Sequence, residues 1–163
     1  MLGDADYADI GRFVTAIASA ESVIAQLWWH QSFKSGSTLT TGYVQRTKIT
    51  DKLDNLRCLV PRDGTRLDQQ LIGLEYGFSK VLEPRNTLVH GFTSETGLST
   101  SVINLRHNHQ LWIRDLPKIL PWADYLRQLA IQAYTDVTRG IFEAEQDMPP
   151  IGPIIARPDG IEN

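Results

Sequence analysis

Several features that would identify a function directly are missing from the 163-residue sequence. It has no phosphate-binding glycine loop, no nucleophile elbow and no CxxC pair. Its single cysteine, Cys58, cannot form an internal disulfide, and the surrounding run DNLRCLV predicts a small core residue. The longest apolar runs are far shorter than the roughly 18 residues of a membrane-spanning helix. These absences argue against loop-based nucleotide binding, serine hydrolysis, thiol redox chemistry and membrane insertion.

A strong net charge is also missing, because the formal charge is only −3. Overall basicity therefore gives no indication of nucleic-acid binding. The charge is uneven, however, since residues 44–66 carry six basic side chains and three acidic ones. A solvated helix face and a local polyanion-binding face both remain open explanations. The acidic opening, MLGDADYAD, is unlike a secretory signal, so we expect a cytoplasmic protein.

Helical periodicity is present in four stretches, which predicts an all-α bundle of four main helices. In the third stretch, Pro84 removes a backbone donor, so the helix should either kink there or restart. Gly91 should end that helix in the left-handed conformation that glycine adopts readily. The predicted helices cover approximately residues 4–33, 45–60, 66–90 and 121–146.

A short β-hairpin insertion is predicted near residues 100–115, where VINLR and QLWIR alternate on either side of HNH. The three letters His107–His109 are not a nuclease motif and fit the hairpin turn, with Asn108 in a left-handed conformation. We expect no metal site and no cofactor. A proline-rich tail, residues 149–163, follows a helical domain of residues 1–148. We expect the tail to be extended and to pack on the body or on a partner through Ile151, Ile154 and Ile155.

Two charges of opposite sign fall on apolar helix faces. On an ideal helical wheel, Glu21 lies between Ile17 and Ile24 of the first helix, and Arg85 lies on the line of Phe78 in the third. A buried lone charge costs several kcal/mol, so such charges are normally paired. Glu21 and Arg85 are therefore expected to meet or to line a shared cavity. A purely structural ion pair and part of a functional site both remain open.

The stretch EPRNTLVHGF, residues 83–92, places an arginine, an amide and a histidine at one helix end. Asn86 and His90 are four residues apart and share a face, and the long side chain of Arg85 can reach the same target. Histidine can exchange a proton near neutral pH, and arginine can hold a phosphate through paired hydrogen bonds. These groups could cleave RNA without a metal. A histidine that only caps the negative end of the helix is the alternative.

The string Arg85-Asn86-Thr87-Leu88-Val89-His90 resembles the signature of the HEPN superfamily (higher eukaryotes and prokaryotes nucleotide-binding). In that family an arginine, a polar residue and a histidine about five positions after the arginine lie on a late helix of a small bundle. The resemblance covers roughly residues 4–148. Pro84 before the arginine, the hairpin and the acidic overall charge depart from the family pattern.

The resemblance implies a metal-independent endoribonuclease of a toxin–antitoxin, anti-phage or RNA-processing system. It also implies a homodimer in which two motifs face each other across one RNA-binding cleft, with a cognate antitoxin or regulatory protein as a candidate partner. Arg85 and His90 would be catalytic, and Asn86 would orient the histidine or the substrate. Glu21, which is outside the motif, would support Arg85. A non-catalytic HEPN module that binds nucleotide, RNA or a protein is one alternative, and an unrelated helical dimerisation domain is another.

Overall fold

Four long helices and one short helix pack through their apolar stripes in the computed structural model, which describes residues 2–96, 99–142 and 152–160. The first and last long helices make the most extensive contact. The longer of the other two packs against both of them, whereas the shorter packs mainly against the first. The predicted helical bundle is thus confirmed. The helices are α1 (Asp4–Lys34), α2 (Thr41–Arg46), α3 (Ile49–Leu59), α4 (Arg66–His90) and α5 (Leu116–Phe142).

The core is built from residues that recur every three or four positions along each helix. Burying one such aliphatic or aromatic side chain contributes about 1.5–3 kcal/mol. Gly77 brings α4 close to α5, because a Cβ atom there would lie 2.7 Å from Cδ2 of Leu126. Side chains with no exposed surface include Phe13, Ile17, Ile24, Leu27, Leu56, Leu74, Leu126 and Leu129.

The second predicted helix, at residues 45–60, is divided in two. Thr40 begins α2 by accepting a hydrogen bond from the Tyr43 amide through its side chain. Thr47 and Lys48 are extended, so the chain turns before α3 begins. Cys58 was predicted to be buried, but it is exposed. The prediction from the apolar run was wrong because α3 buries only the helix face that carries Leu56. Cys58 lies on a different face of the helix.

Neither helix-internal proline breaks its helix. Pro84 lies within α4, which runs unbroken from Arg66 to His90, so the predicted restart is wrong and the predicted kink stays a prediction. Pro84 has no N–H to donate to the carbonyl of Lys80. Lys80 is on the exposed side of α4, where water can donate to that carbonyl instead. The fourth predicted helix was to start at Pro121, but α5 starts at Leu116. Leu116 and Leu120 are both buried, and their packing outweighs the one hydrogen bond that Pro121 removes in the second turn.

An antiparallel sheet of three strands, in the order β1–β2–β3, connects α4 to α5. The strands are β1 (Phe92–Thr96), β2 (Ser99–Asn104) and β3 (His109–Trp112), and a short 3₁₀ turn, Ile113–Asp115, follows β3. The predicted hairpin is confirmed as β2 and β3, and Asn108 has the expected positive φ of 48°. Strand β1 was not predicted, because FTSET has no alternation of apolar residues.

The described part of the tail is extended and packs on the bundle. Gln132 of α5 donates to the Pro153 carbonyl at 2.8 Å and accepts from the Ile155 amide at 3.2 Å. Ile154 and Ile155 contact the core as predicted, whereas Ile151, the end of the fourth predicted helix and the predicted domain boundary at 148 lie outside the described residues. Among the helices described, none has the length and apolarity needed to cross a membrane.

Candidate functional site

Glu21 and Arg85 meet where α1 crosses α4, as the helical wheel predicted. Arg85 Nη2 lies 3.5 Å from Glu21 Oε2, and Arg85 Nη1 donates to Asn86 Oδ1 at 3.0 Å. The side chains of Arg85 and Glu21 are 27% and 23% exposed, so the pair is at the surface rather than sealed in the core. A long, partly hydrated ion pair of this kind contributes little to stability and can be displaced by a ligand. Arg85 is therefore oriented by two partners and remains accessible.

A third charge, Lys52 of α3, lies in the field of the same carboxylate. Lys52 is only 7% exposed. Desolvation lowers the pKa of its ammonium group, and the charge of Glu21 partly opposes that shift. Lys52 was not predicted as a buried residue, although its position three residues after Ile49 and four before Leu56 places it on the buried stripe of α3.

His90 is the last residue of α4 and is exposed. It lies one helical turn after Asn86, so the two residues share a face of the helix. Within the part of the chain that the structure describes, no hydrogen bond or ion pair joins the side chain of His90 to the side chains of Glu21, Arg85 or Asn86. A single chain therefore brings three of the four predicted site residues into contact and leaves His90 open to solvent.

Gly91 ends α4 for a different reason from the one predicted. Its backbone is extended (φ −85°, ψ 174°) rather than left-handed, and its amide donates to the Thr87 carbonyl at 2.8 Å. A Cβ atom on Gly91 would lie 2.4 Å from that carbonyl oxygen, 2.6 Å from Cγ1 of Val102 and 2.8 Å from the Ile103 carbonyl oxygen. Only glycine allows the end of α4 to approach β2 this closely. The position of His90 thus depends on close packing between helix and sheet.

The sheet supports the helix that carries the motif. The Thr87 hydroxyl, which is fully buried, bonds to His109 Nδ1 at 2.7 Å, and Glu83 lies 3.8 Å from the other ring nitrogen of His109. Asn104 donates to the Asn86 carbonyl at 3.2 Å. His109, part of the HNH letters, therefore joins β3 to α4. No group of three or more metal-ligating His, Cys, Asp or Glu side chains is found in the described ranges.

Comparison with known proteins leaves the site to be interpreted from its own geometry. No family model matches the chain, and neither a curated protein nor a solved structure is significantly similar to it. What the geometry offers is a partly exposed cluster of a guanidinium, an amide and a carboxylate, with an exposed imidazole at the end of the same helix. Such a group can bind an anion and exchange a proton.

Proposed function

We propose that the chain is a metal-independent endoribonuclease of the HEPN type, with a toxin, anti-phage or RNA-processing role. One observation carries this proposal. Glu21 and Asn86 hold the partly exposed guanidinium of Arg85 near the helix end at which the imidazole of His90 is exposed to solvent. A side chain that can bind phosphate and a side chain that can act as a general acid or base are thus on the same segment, five residues apart.

The reaction would proceed by attack of the RNA on itself. His90 takes the proton of a ribose 2′-hydroxyl, and the resulting oxygen forms a bond to the adjacent phosphorus. The bond from phosphorus to the 5′ oxygen breaks, and a protonated histidine returns a proton to that leaving oxygen. Arg85 stabilises the negative charge that develops on the phosphoryl oxygens. The products are a 2′,3′-cyclic phosphate and a 5′-hydroxyl end.

A homodimer would supply the two histidines that serve as base and acid. Exposed apolar side chains occur close to His90 in the chain and in the sheet that follows it, since Val89, Phe92 and Leu105 are 45%, 51% and 74% exposed. Phe92 pairs with Ile103 in the sheet, two residues before Leu105, so Phe92 and Leu105 lie toward the same end of the sheet. A second copy that covered this region would bring two His90 side chains together.

The test is cleavage of a mixed RNA substrate by the purified protein in excess chelator. We expect His90→Ala and Arg85→Ala each to reduce cleavage at least about 100-fold, which is the usual loss when a general acid–base group is removed. His107→Ala and Arg106→Ala are matched controls, because both side chains are exposed and lie in the hairpin turn. Cleavage that survives in His90→Ala, or ends that are not cyclic phosphates, would reject the mechanism.

A non-catalytic HEPN module that binds nucleotide, RNA or a partner such as a cognate antitoxin is the second candidate. It is favoured by the ion pair that Arg85 already makes with Glu21, and by the absence of a hydrogen bond or ion pair between that pair and the His90 side chain in the described chain. The same assay separates the two candidates. Intact RNA with a folded, dimeric wild-type protein that still retains the RNA on a filter would select the binding module.

A further inference from the structure

A cleft between α1 and α5 gathers polar side chains from both helices. Its volume is about 410 Å³, which is within the usual range of about 300–1,000 Å³ for small-ligand pockets. Residues three and four apart on a helix share a face, so each helix presents three polar residues to the cleft from one side. The polar residues of this α1–α5 cleft are Arg12, Thr15, Ser19, Asp124, Arg127 and Gln128.

The charges in the α1–α5 cleft do not balance. Arg12 of α1 forms an ion pair with Asp124 of α5, and the side chains of these two residues are 61% and 22% exposed. An exposed pair of this kind contributes little to stability. Arg127, one turn after Asp124, is exposed and has no hydrogen bond or ion pair within the described residues. The cleft therefore contains two guanidinium groups and one carboxylate, which leaves one positive charge for a ligand.

Three neutral side chains add further hydrogen-bond donors to the cleft. Thr15 and Ser19 lie inside α1, where a hydroxyl often bonds back to the carbonyl of the preceding turn. Neither makes that bond here, and the side-chain amide of Gln128 is likewise unused in the described ranges. Two hydroxyls, one amide and the guanidinium of Arg127 can thus donate to a ligand. Phosphate oxygens accept such bonds, and guanidinium groups bind phosphate through paired hydrogen bonds.

We propose that the α1–α5 cleft binds the terminal phosphate of an organic phosphomonoester, with Arg127 as its main ligand. A terminal phosphate offers three unesterified oxygens and between about 1.5 and 2 negative charges at pH 7. A phosphodiester and a carboxylate each offer two such oxygens and one charge, so both use fewer of the available donors. The cleft is larger than a phosphate group, which leaves room for part of the molecule that carries it.

This site is separate from the Arg85 site. Arg12 and Glu21 are nine residues apart in α1, which places them on opposite sides of the helix at about 100° per residue. The α1–α5 cleft therefore faces away from the contact between Glu21 and Arg85. The phosphate site goes beyond the proposed function and does not depend on it.

Isothermal titration calorimetry of the full chain tests the proposal. The probe is adenosine 5′-monophosphate, and adenosine is the control that lacks the phosphate. We expect Arg127→Gln to raise the Kd for the monophosphate about tenfold or more, because a hydrogen bond to a charged group is lost. Arg106→Gln is the matched control, because it removes the same charge from an exposed arginine of the hairpin turn, outside the cleft. We expect it to leave the Kd unchanged.

A second variant separates a binding role from a structural role. Asp124→Asn should bind the monophosphate more tightly than wild type, because it removes the negative charge of the cleft and frees Arg12 for the ligand. A structural role alone would leave the affinity unchanged. The Arg12–Asp124 pair is at the surface, so we expect thermal unfolding without ligand to change little. That variant also provides an answer if Arg127→Gln does not fold.

The phosphate could belong to a free small molecule or to the 5′ end of an RNA, and a further titration distinguishes these sources. The probe is a short 2′-O-methyl RNA with or without a 5′-phosphate, which the proposed ribonuclease mechanism cannot cleave. Tighter binding of the 5′-phosphorylated RNA than of the monophosphate assigns the site to RNA ends. The reverse order assigns it to a free phosphorylated molecule, and either order supports the phosphate site.

Two outcomes would overturn the phosphate site. One is equal binding of adenosine and its monophosphate, or no binding of either. The other is an equal affinity of wild type, Arg127→Gln and Asp124→Asn for the monophosphate. His90→Ala should bind the monophosphate as the wild type does, whether or not the wild type cleaves RNA. The phosphate site and the ribonuclease can therefore fail or hold independently.

Discussion

Replacing Gly91 with alanine should destabilise the protein by about 3 kcal/mol, at the upper end of the usual cost of overpacking. The backbone of Gly91 is extended, so an L-residue there is not strained by its dihedral angles. The new Cβ atom, however, would lie 2.4–2.8 Å from three atoms, and two of them are carbonyl oxygens, of Thr87 and Ile103. Backbone atoms cannot move aside as a flexible side chain can. The end of α4 must therefore separate from β2, which also displaces His90.

The loss in unfolding free energy is measurable by urea unfolding followed through tryptophan fluorescence, and thermal unfolding followed in the same way gives the decrease in melting temperature. For a chain of this size, 1 kcal/mol corresponds to about 2–4 °C in melting temperature, so the expected decrease is about 6–12 °C. Gly36 is a suitable control, because its φ is +81° and no atom lies within 4 Å of a Cβ placed there. Gly36→Ala should cost about 1 kcal/mol from its left-handed backbone alone.

Asparagine provides the decisive comparison between the two glycines. Asparagine tolerates left-handed backbone better than alanine, so Gly36→Asn should be more stable than Gly36→Ala. At Gly91, where the restriction is steric, asparagine should be no better than alanine. If Gly91→Asn is clearly more stable than Gly91→Ala, or if Gly91→Ala unfolds like the wild type, the proposed close packing of α4 and β2 is wrong.

Two further predictions concern the contacts that support α4. Arg57→Ala should lower the melting temperature by several degrees at pH 7, because it leaves the buried carboxylate of Asp68 and the partly buried carboxylate of Glu75 without their cation. The Gly64 amide and Arg57 hold the pKa of Asp68 below its usual range, so this stabilisation is present above the unfolded pKa of about 4 and is lost as the pH falls through the folded value. The difference in melting temperature between wild type and Arg57→Ala, measured by calorimetry, should therefore become smaller at acid pH. A difference that grows at acid pH would contradict this account. His109→Ala should cost about 1–3 kcal/mol in urea unfolding, because the buried hydroxyl of Thr87 loses its partner, and a cost below 0.5 kcal/mol would show that water replaces it.

Periodicity predicted most of the fold because the apolar stripes of α1, α4 and α5 are long and regular. It failed where short segments turn. The break between α2 and α3 depends on two extended residues, Thr47 and Lys48, whose side chains do not mark a turn. It failed again at β1, whose residues FTSET are ordered by pairing with β2 from Phe92↔Ile103 to Thr96↔Ser99. Strand pairing is a tertiary effect, and a local pattern does not contain it.

The candidate site was predictable only in part, for a related reason. A wheel places residues on one helix, so it found Glu21 and Arg85 as charges on apolar faces, and their contact is confirmed. It did not single out Lys52, because a lysine on a buried stripe can extend its ammonium group to solvent and needs no partner. The supporting contact of His109 with Thr87 joins residues 22 positions apart through the sheet, and no local pattern predicts it. The homodimer stays a prediction.

A second arginine, Arg57, can be compared with Arg85 to decide between a structural and a functional interpretation of the Arg85–Glu21 pair. Arg57, between α3 and α4, shows how this protein pairs a structural arginine. Its side chain is 9% exposed, and it contacts Asp68 and also both carboxylate oxygens of Glu75, at 3.1 and 3.2 Å. Arg85 is three times as exposed and has a single, longer carboxylate contact of 3.5 Å. Water can solvate the exposed part of the Arg85 guanidinium, so Arg85 does not need the full pairing that the buried Arg57 needs. Arg85 is therefore accessible to a ligand, as the proposed function requires, whereas Arg57 is enclosed by its two carboxylates.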